Sequence, residues 1–194
     1  MGDIEVSAIP TRRLDLLPLA VQHADEMAAV LADPALHSFI GGAPYTAPEL
    51  RARYERLSAG SPSPGTVWLN WVVRLRDDAP AALVGTVQAT VTEGGTTAEI
   101  AWVVGTPWQG KGIAKEAAAG LAGWLTRRGV RTLVAHIHPD HHASASVAAA
   151  VGLLPTPERQ DGEVRWRFPA VPDVPHAPHA PHSDVPRPDV PRSG

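Results

Sequence analysis

Apolar positions along this chain change period several times, and each change marks an element. Residues 12–19 alternate as a strand does, with Pro18 placing the run at a sheet edge or at the strand's end. Helical spacing follows over 21–31, where Val21, Ala24, Met27, Ala28 and Leu31 form one stripe. A second helix is expected over 48–57, with Thr46 as its cap and Pro48 in its first turn. Between the two, Phe39, Ile40, Gly41, Gly42, Ala43 and Pro44 read as a turn-forming stretch with apolar side chains, either a lid or a simple connection.

Residues 67–75, 82–91 and 98–104 are strand-like and separated by Arg-Asp-Asp-Ala-Pro and Glu-Gly-Gly-Thr turns, which predicts an antiparallel meander. A helix over 114–128 comes next, closed by Gly129 after two arginines suited to a helix's negative end. Residues 130–137 form a buried strand. Strand, helix and strand in succession predict that 100–104 and 133–137 run parallel through a right-handed crossover. A short helix over 143–151 ends at Gly152, and 163–168 make a last strand. The fold class is α/β (α+β), a mixed and mostly antiparallel sheet flanked by helices.

With 194 residues, 44% of them apolar and 19% charged, the chain is long enough for one domain and a loose end. The end begins at Pro169, where prolines become too frequent for helix or ladder, so residues 1–168 read as the domain and 169–194 as a disordered, polyproline-like tail. His176, His179 and His182 recur every third residue there, but a segment without fixed geometry reads as a spacer rather than a metal site. A net charge of −3 and a pI near 6.3 disfavour a nucleic-acid partner. The absence of cysteine excludes disulfides, thiolate metal sites and a cysteine nucleophile. No apolar run reaches the roughly 18 residues that would span a bilayer, and no signal-like N-terminus is present, so no membrane partner is expected and the default location is cytoplasmic.

The candidate chemistry sits where the strand ending at Val104 passes into the alanine-rich helix. Gln109, Gly110, Lys111, Gly112, Ile113 and Ala114 place two glycines within three residues at a helix N-terminus. Such a bend turns successive N–H groups inward, as a diphosphate requires, and Lys111 adds a charge. An ordinary strand-to-helix turn would use the same glycines. A magnesium-dependent P-loop is excluded, because Gly-Lys-Gly is followed by neither Ser nor Thr.

Gln109, Gly112 and Ala114 occupy the positions of a pattern that reads Gln or Arg, two residues, Gly, one residue, then Gly or Ala. Upstream lie Ala98 to Val104 and Trp108; downstream lie Pro139, His141, Ser144, Val147 and the run Val151, Gly152, Leu153. Through these residues, with Thr11 to Leu14 and Asp33-Pro34, the stretch 11–168 resembles the GNAT superfamily of acyl-CoA-dependent N-acyltransferases, in particular the branch that acetylates ribosomal-protein N-termini. Two positions depart from the pattern: His141 stands for its Asn and Leu153 for its Phe.

The resemblance implies a GNAT-type sheet with a splayed parallel strand pair, acetyl-CoA as co-substrate without a metal, and direct transfer to an amine acceptor. That acceptor would be a protein or peptide N-terminus, or a small amine metabolite or antibiotic; a homodimer is compatible with the likeness. It implies that residues 109–114 hold the pyrophosphate, that main chain around Trp102, Val103 and Val104 engages the pantetheine and the thioester carbonyl, and that His141 and Ser144 lie near the cofactor. Glu99, on one strand face with Ala101 and Val103, is the first candidate base; the alternative is a solvated strand carboxylate. His138, on the face of His136, is the second candidate, against a loop histidine that meets only water or backbone. Ser144 either donates to the leaving thiolate or caps its helix.

Trp68, Trp71, Trp102 and Trp124 read as core residues, and Trp108 as packed beneath the helix. Tyr45 and Tyr54 are reachable polar aromatics at the acceptor side. A catalytically silent CoA-binding module of the same fold is the rival, with His141 as its one hint.

Overall fold

The structure, a computed structural model, describes residues 5–76 and 81–168. The expected tail from Pro169 onward lies outside the described residues. Eight strands form one sheet: β1 Ile9–Pro10, β2 Leu14–Pro18, β3 Val67–Leu75, β4 Leu83–Thr92, β5 Thr97–Val104, β6 Thr132–Ile137, β7 Leu154–Gln160 and β8 Glu163–Arg167. Their order is β1-β2-β3-β4-β5-β6-β8-β7, and only β5 and β6 among the described pairs run parallel. The meander and the parallel pair therefore stand as the pattern predicts.

The helices are α1 Ala24–Val30, α2 His37–Ile40, α3 Ala47–Ser58, α4 Ile113–Thr126 and α5 His142–Ala150. Burial on α4 falls on Ile113, Ala117, Leu121 and Leu125, the helical stripe that packs with Leu69, Trp71, Val87 and Ile100 of the sheet. A second cluster joins Ala24 and Met27 of α1 and Leu50 and Tyr54 of α3 to Val72 and Leu83. Two layers of helix thus sandwich part of the sheet, and the remainder of one face stays open. Thr46 caps α3 as expected, its hydroxyl and Glu49 bonding reciprocally across the first turn.

Several details differ from the sequence expectations. The first strand is shorter because Thr11 bonds to both the N–H and the C=O of Leu14, turning Arg12 and Arg13 into a corner after β1. The stripe over 21–31 opens as a 3₁₀ turn, Val21–His23, before α1. Phe39 and Ile40 belong to the one-turn α2, where a loop is expected. β7 is wholly unexpected, since Pro155 and Pro157 argue against a strand; it forms at the sheet's edge, where a missing N–H faces no neighbour. Trp71 and Trp124 are core residues as expected, whereas Trp68 and Trp102 are only half-buried; Trp108 packs against both clusters, the first of which contains the buried face of α4.

Gly85 lets β4 and β5 approach closely beside the site. A Cβ there would lie 2.2 Å from the Val103 carbonyl oxygen and 3.0 Å from the Val104 Cα, both backbone atoms that cannot step aside. Gly85→Ala is expected to cost about 1–3 kcal/mol, read as a lowered midpoint in urea unfolding.

Candidate active site

β5 ends at Val104, and a 3₁₀ turn, Thr106–Trp108, carries the chain to Gln109, whose side-chain amide donates to the Val104 carbonyl at 3.0 Å. Gly110 and Gly112 then adopt φ of +74° and +75°, and Gly112 is the N-cap of α4. The left-handed region favours glycine, so this bend depends on both residues. It leaves the first-turn N–H groups of a 14-residue helix without side-chain caps.

Arg13 staples the bend from β2's corner. Its guanidinium donates to the Lys111 carbonyl at 3.1 Å and pairs with Glu116 at 2.7 Å. Glu116 also accepts from the Thr11 hydroxyl at 2.7 Å and the Arg13 N–H at 2.6 Å. Burial pushes the Glu116 carboxyl pKa up, but those three donors outweigh burial and hold it below the usual value. Arg13 and Lys111 so bring two cations to a helix N-terminus. Nothing in the sequence pattern assigns Arg13 this place, because its partners lie about a hundred positions away.

The parallel pairing of β5 with β6 runs only from Thr97↔Thr132 to Glu99↔Val134. Beyond it β6 pairs with β8, from Val134↔Arg167 to Ile137↔Val164, while β5 continues beside β4 to Val104. The two strands splay. Trp102 and Val103 line the opening, and alternate main-chain groups of this part of β5 face it.

A cleft of about 620 Å³ occupies the open face of the sheet at this splay. Glu99, Trp102, Val103, His138, His141 and Ser144 all line it, so the structure brings these candidates together. Residues 109–114 are not in its lining and lie past the end of β5, so the bend and the cleft are joined through that strand. At the cleft floor Glu99 Oε1 lies 2.9 Å from His136 Nδ1. His136 is 11% exposed and Glu99 53%, so the carboxylate is anchored at its inner side and open to the cleft. His136 is the residue that sequence reasoning missed as a partner for Glu99. Its signal was the alternation shared with His138, but the pairing needs the β5–β6 register.

His138 uses Nδ1 to accept from the Asp140 N–H at 3.2 Å, and its ring meets Phe39 at a tilt. His141 is the N-cap residue of α5 but makes no side-chain cap bond; its ring stacks on Phe39, 4.2 Å between centroids and 3° between planes. Ser144 is three residues beyond that position, inside α5, so it does not cap the helix as the alternative had it. Tyr45 is exposed, whereas Tyr54 is buried against the cleft, where desolvation pushes its hydroxyl pKa up to about 12.

Burial, then the neighbouring His138, push the His141 pKa below its usual 6.5, against the weaker pull of Glu163. A lowered histidine pKa means the neutral ring is the native form. Its contribution to stability is complete above pH 6.5 and is lost as pH falls through the lower native value. His141→Gln is therefore expected to flatten the fall in thermal midpoint on acidification below pH 6.5.

Residues 13–154 match the family model described as the acetyltransferase (GNAT) domain. Among curated proteins no sequence matches the chain. An acetyltransferase from Agrobacterium tumefaciens str. C58 is similar in structure, with a TM-score of 0.66 at 25% identity over 85% of this chain and 95% of that one. RimL, a ribosomal L7/L12 alpha-N-protein acetyltransferase in complex with coenzyme A, gives 0.68 at 18% identity over 82% and 96%. The microcin C7 self-immunity acetyltransferase MccE, in complex with acetyl-CoA and AMP, gives 0.66 at 17% identity over 84% and 98%. Among the described residues no helix is long and apolar enough to cross a membrane. Because the matched span takes in most of the chain, from the corner before β2 to the start of β7, this protein belongs to the GNAT acetyltransferase family.

Proposed function

We propose that the protein transfers an acetyl group from acetyl-CoA directly to a primary amine, with both substrates bound at once. The observation that carries this reading is the Glu99–His136 pair at the floor of a cleft that opens at the β5–β6 splay. The residues present fit the cofactor: the bend at Gly110 and Gly112 leaves helix N–H groups free, with Lys111 and Arg13 alongside. Acetyl-CoA supplies an activated thioester.

The chain's own residues do the remainder. Main chain of Gly110, Lys111, Gly112, Ile113 and Ala114 holds the diphosphate, with Gln109, whose own N–H donates to the Thr106 carbonyl, fixing the entry to the bend, and backbone of Trp102, Val103 and Val104 holds the pantetheine arm and polarises the carbonyl. Glu99 draws the proton from the incoming ammonium, directly or through one water, with His136 fixing its orientation. His138 is the second base, less suited because its Nδ1 is engaged by the Asp140 N–H. Ser144 hydrogen-bonds the departing thiolate and relays to it the second proton that the nitrogen releases as the amide forms, and His141 walls the cleft beside it.

Arg13→Ala is expected to weaken CoA binding about tenfold in calorimetry, about 1.4 kcal/mol, by loosening the bend and removing a cation. The function itself is tested by thiol release from acetyl-CoA across peptides and small amines. Acetylation of at least one amine is expected. CoA binding without turnover on any amine would overturn the transferase reading in favour of a silent binding module.

A further inference from the structure

Glu116 stands in the first turn of α4, the end of the helix where the cofactor's anion is to be held. By charge alone a carboxylate there opposes a diphosphate. The helix dipole favours an acid at this end, but it asks for no partner about a hundred positions away. Glu116 has three such donors, all from the corner between β1 and β2. The Thr11 hydroxyl at 2.7 Å and the Arg13 N–H at 2.6 Å meet Oε1, and the Arg13 Nε–H at 2.7 Å meets Oε2. Both oxygens are engaged, and the side chain is only 16% exposed.

The corner itself is braced. Thr11 bonds to both the N–H and the C=O of Leu14, the Arg76 guanidinium donates to the Thr11 and Leu14 carbonyls, and the Arg76 N–H donates to the Arg13 carbonyl. It also seats closely on the helix, since a Cβ added at Gly120 would lie 2.7 Å from Thr11 Cγ2. Arg13 is therefore fixed at its main chain by Arg76 and Glu116 and at its Nε by Glu116. Its Nη1 then reaches the Lys111 carbonyl at 3.1 Å.

That bond decides which way one peptide unit faces. In a trans peptide the C=O and the following N–H point in opposite directions, so holding the Lys111 carbonyl on Arg13 turns the Gly112 N–H to the other side. There it meets no acceptor among the described residues. With glycine at 112 the reverse orientation is sterically open as well: a half-turn of the peptide carries φ of Gly112 from +75° to about −105°, which glycine adopts freely. The reversed peptide would aim a carbonyl oxygen at the diphosphate. Glycine makes the bend possible and also reversible, and the clasp from Arg13 removes that freedom.

We infer that Glu116 is a positioning residue for the cofactor: acting through Arg13, it locks the Lys111–Gly112 peptide with its N–H toward the diphosphate and its carbonyl away from it. The lock deepens the acetyl-CoA site proposed above and rests on that reading for the identity of the anion.

The test is calorimetric binding of CoA, and of pantetheine, which lacks the diphosphate, to the wild type, Glu116→Gln and Arg13→Lys. Glutamine keeps the length and one accepting oxygen of Glu116, but its NH2 would face the Arg13 Nε–H, donor against donor. Lysine keeps the charge of Arg13 without the fork that joins Glu116 to Lys111. If charge alone mattered, Glu116→Gln would tighten CoA binding and Arg13→Lys would leave it unchanged. The lock predicts the opposite, a loss of CoA affinity of about fivefold or more in each variant, with pantetheine binding unchanged. The Gly112 amide proton should move downfield on CoA binding to the wild type and markedly less in Glu116→Gln, a signature that a loss of helix stability would not produce. CoA affinity kept or raised in Glu116→Gln, CoA affinity kept in Arg13→Lys, an equal loss of pantetheine affinity, or the same Gly112 shift in both proteins overturns the lock. The stated losses without turnover of any amine uphold the lock and sink the transferase reading. No CoA binding by the wild type overturns the cofactor site and the lock together.

Discussion

Glu99→Gln is expected to lower kcat by roughly 10²–10⁴-fold, the range that positioned general bases supply, with CoA affinity unchanged. Glutamine keeps the shape and can still face His136, so neither β5 nor its pairing with β4 should move; what is lost is the capacity to take a proton. His136→Asn is the companion. His136 is largely buried beneath the carboxylate at 2.9 Å and holds its orientation, so its loss should lower kcat less than the loss of Glu99 and leave CoA affinity unchanged. If both variants keep full activity across pH, proton removal from the amine takes place elsewhere, and His138 becomes the residue to replace.

Gly112→Asp should reduce CoA affinity by about a hundredfold or more, about 2.7 kcal/mol, with little loss of fold. Aspartate is chosen because it tolerates a positive φ better than most residues, and the position has room: the nearest atom to an added Cβ is an Arg13 guanidinium nitrogen at 3.6 Å. The new carboxylate would set a negative charge where an anion is to be held and would draw Arg13 to itself. Gly112→Asn separates charge from backbone strain, since it has nearly the same shape; its loss should stay below about tenfold. Equal losses in the two variants would mean that backbone conformation, not charge, governs the bend. Unchanged affinity in Gly112→Asp would show that the diphosphate is bound elsewhere.

The elements with strong local signals were legible from the chain alone. Thr46 with Glu49, the α4 stripe and the three meander strands all express interactions within a few residues or between adjacent segments. The splay was legible as an implication of family resemblance but not from periodicity, because periodicity reports which face a residue lies on and not where pairing stops. β7 was hidden by Pro155 and Pro157, whose cost depends on whether a neighbour needs their N–H. At the edge of this sheet none does.

The candidate site divides in the same way. Glycines at 110 and 112, the lysine between them and Glu99 on an exposed strand face are local facts, carried by spacing alone. Arg13 at the Lys111 carbonyl, Glu116 against Arg13 and His136 against Glu99 are not, since each depends on segments that meet only when the sheet sets its register and α4 packs on it. Sequence by itself determined the meander strands, the long helices α3 and α4, the strand after α4 and the sharp bend before it, because backbone conformation and hydrophobic period are properties of neighbours in the chain. The tertiary structure alone decided which charges and hydrogen-bonding groups face one another, because those energies depend on distances of a few ångströms between residues far apart in sequence.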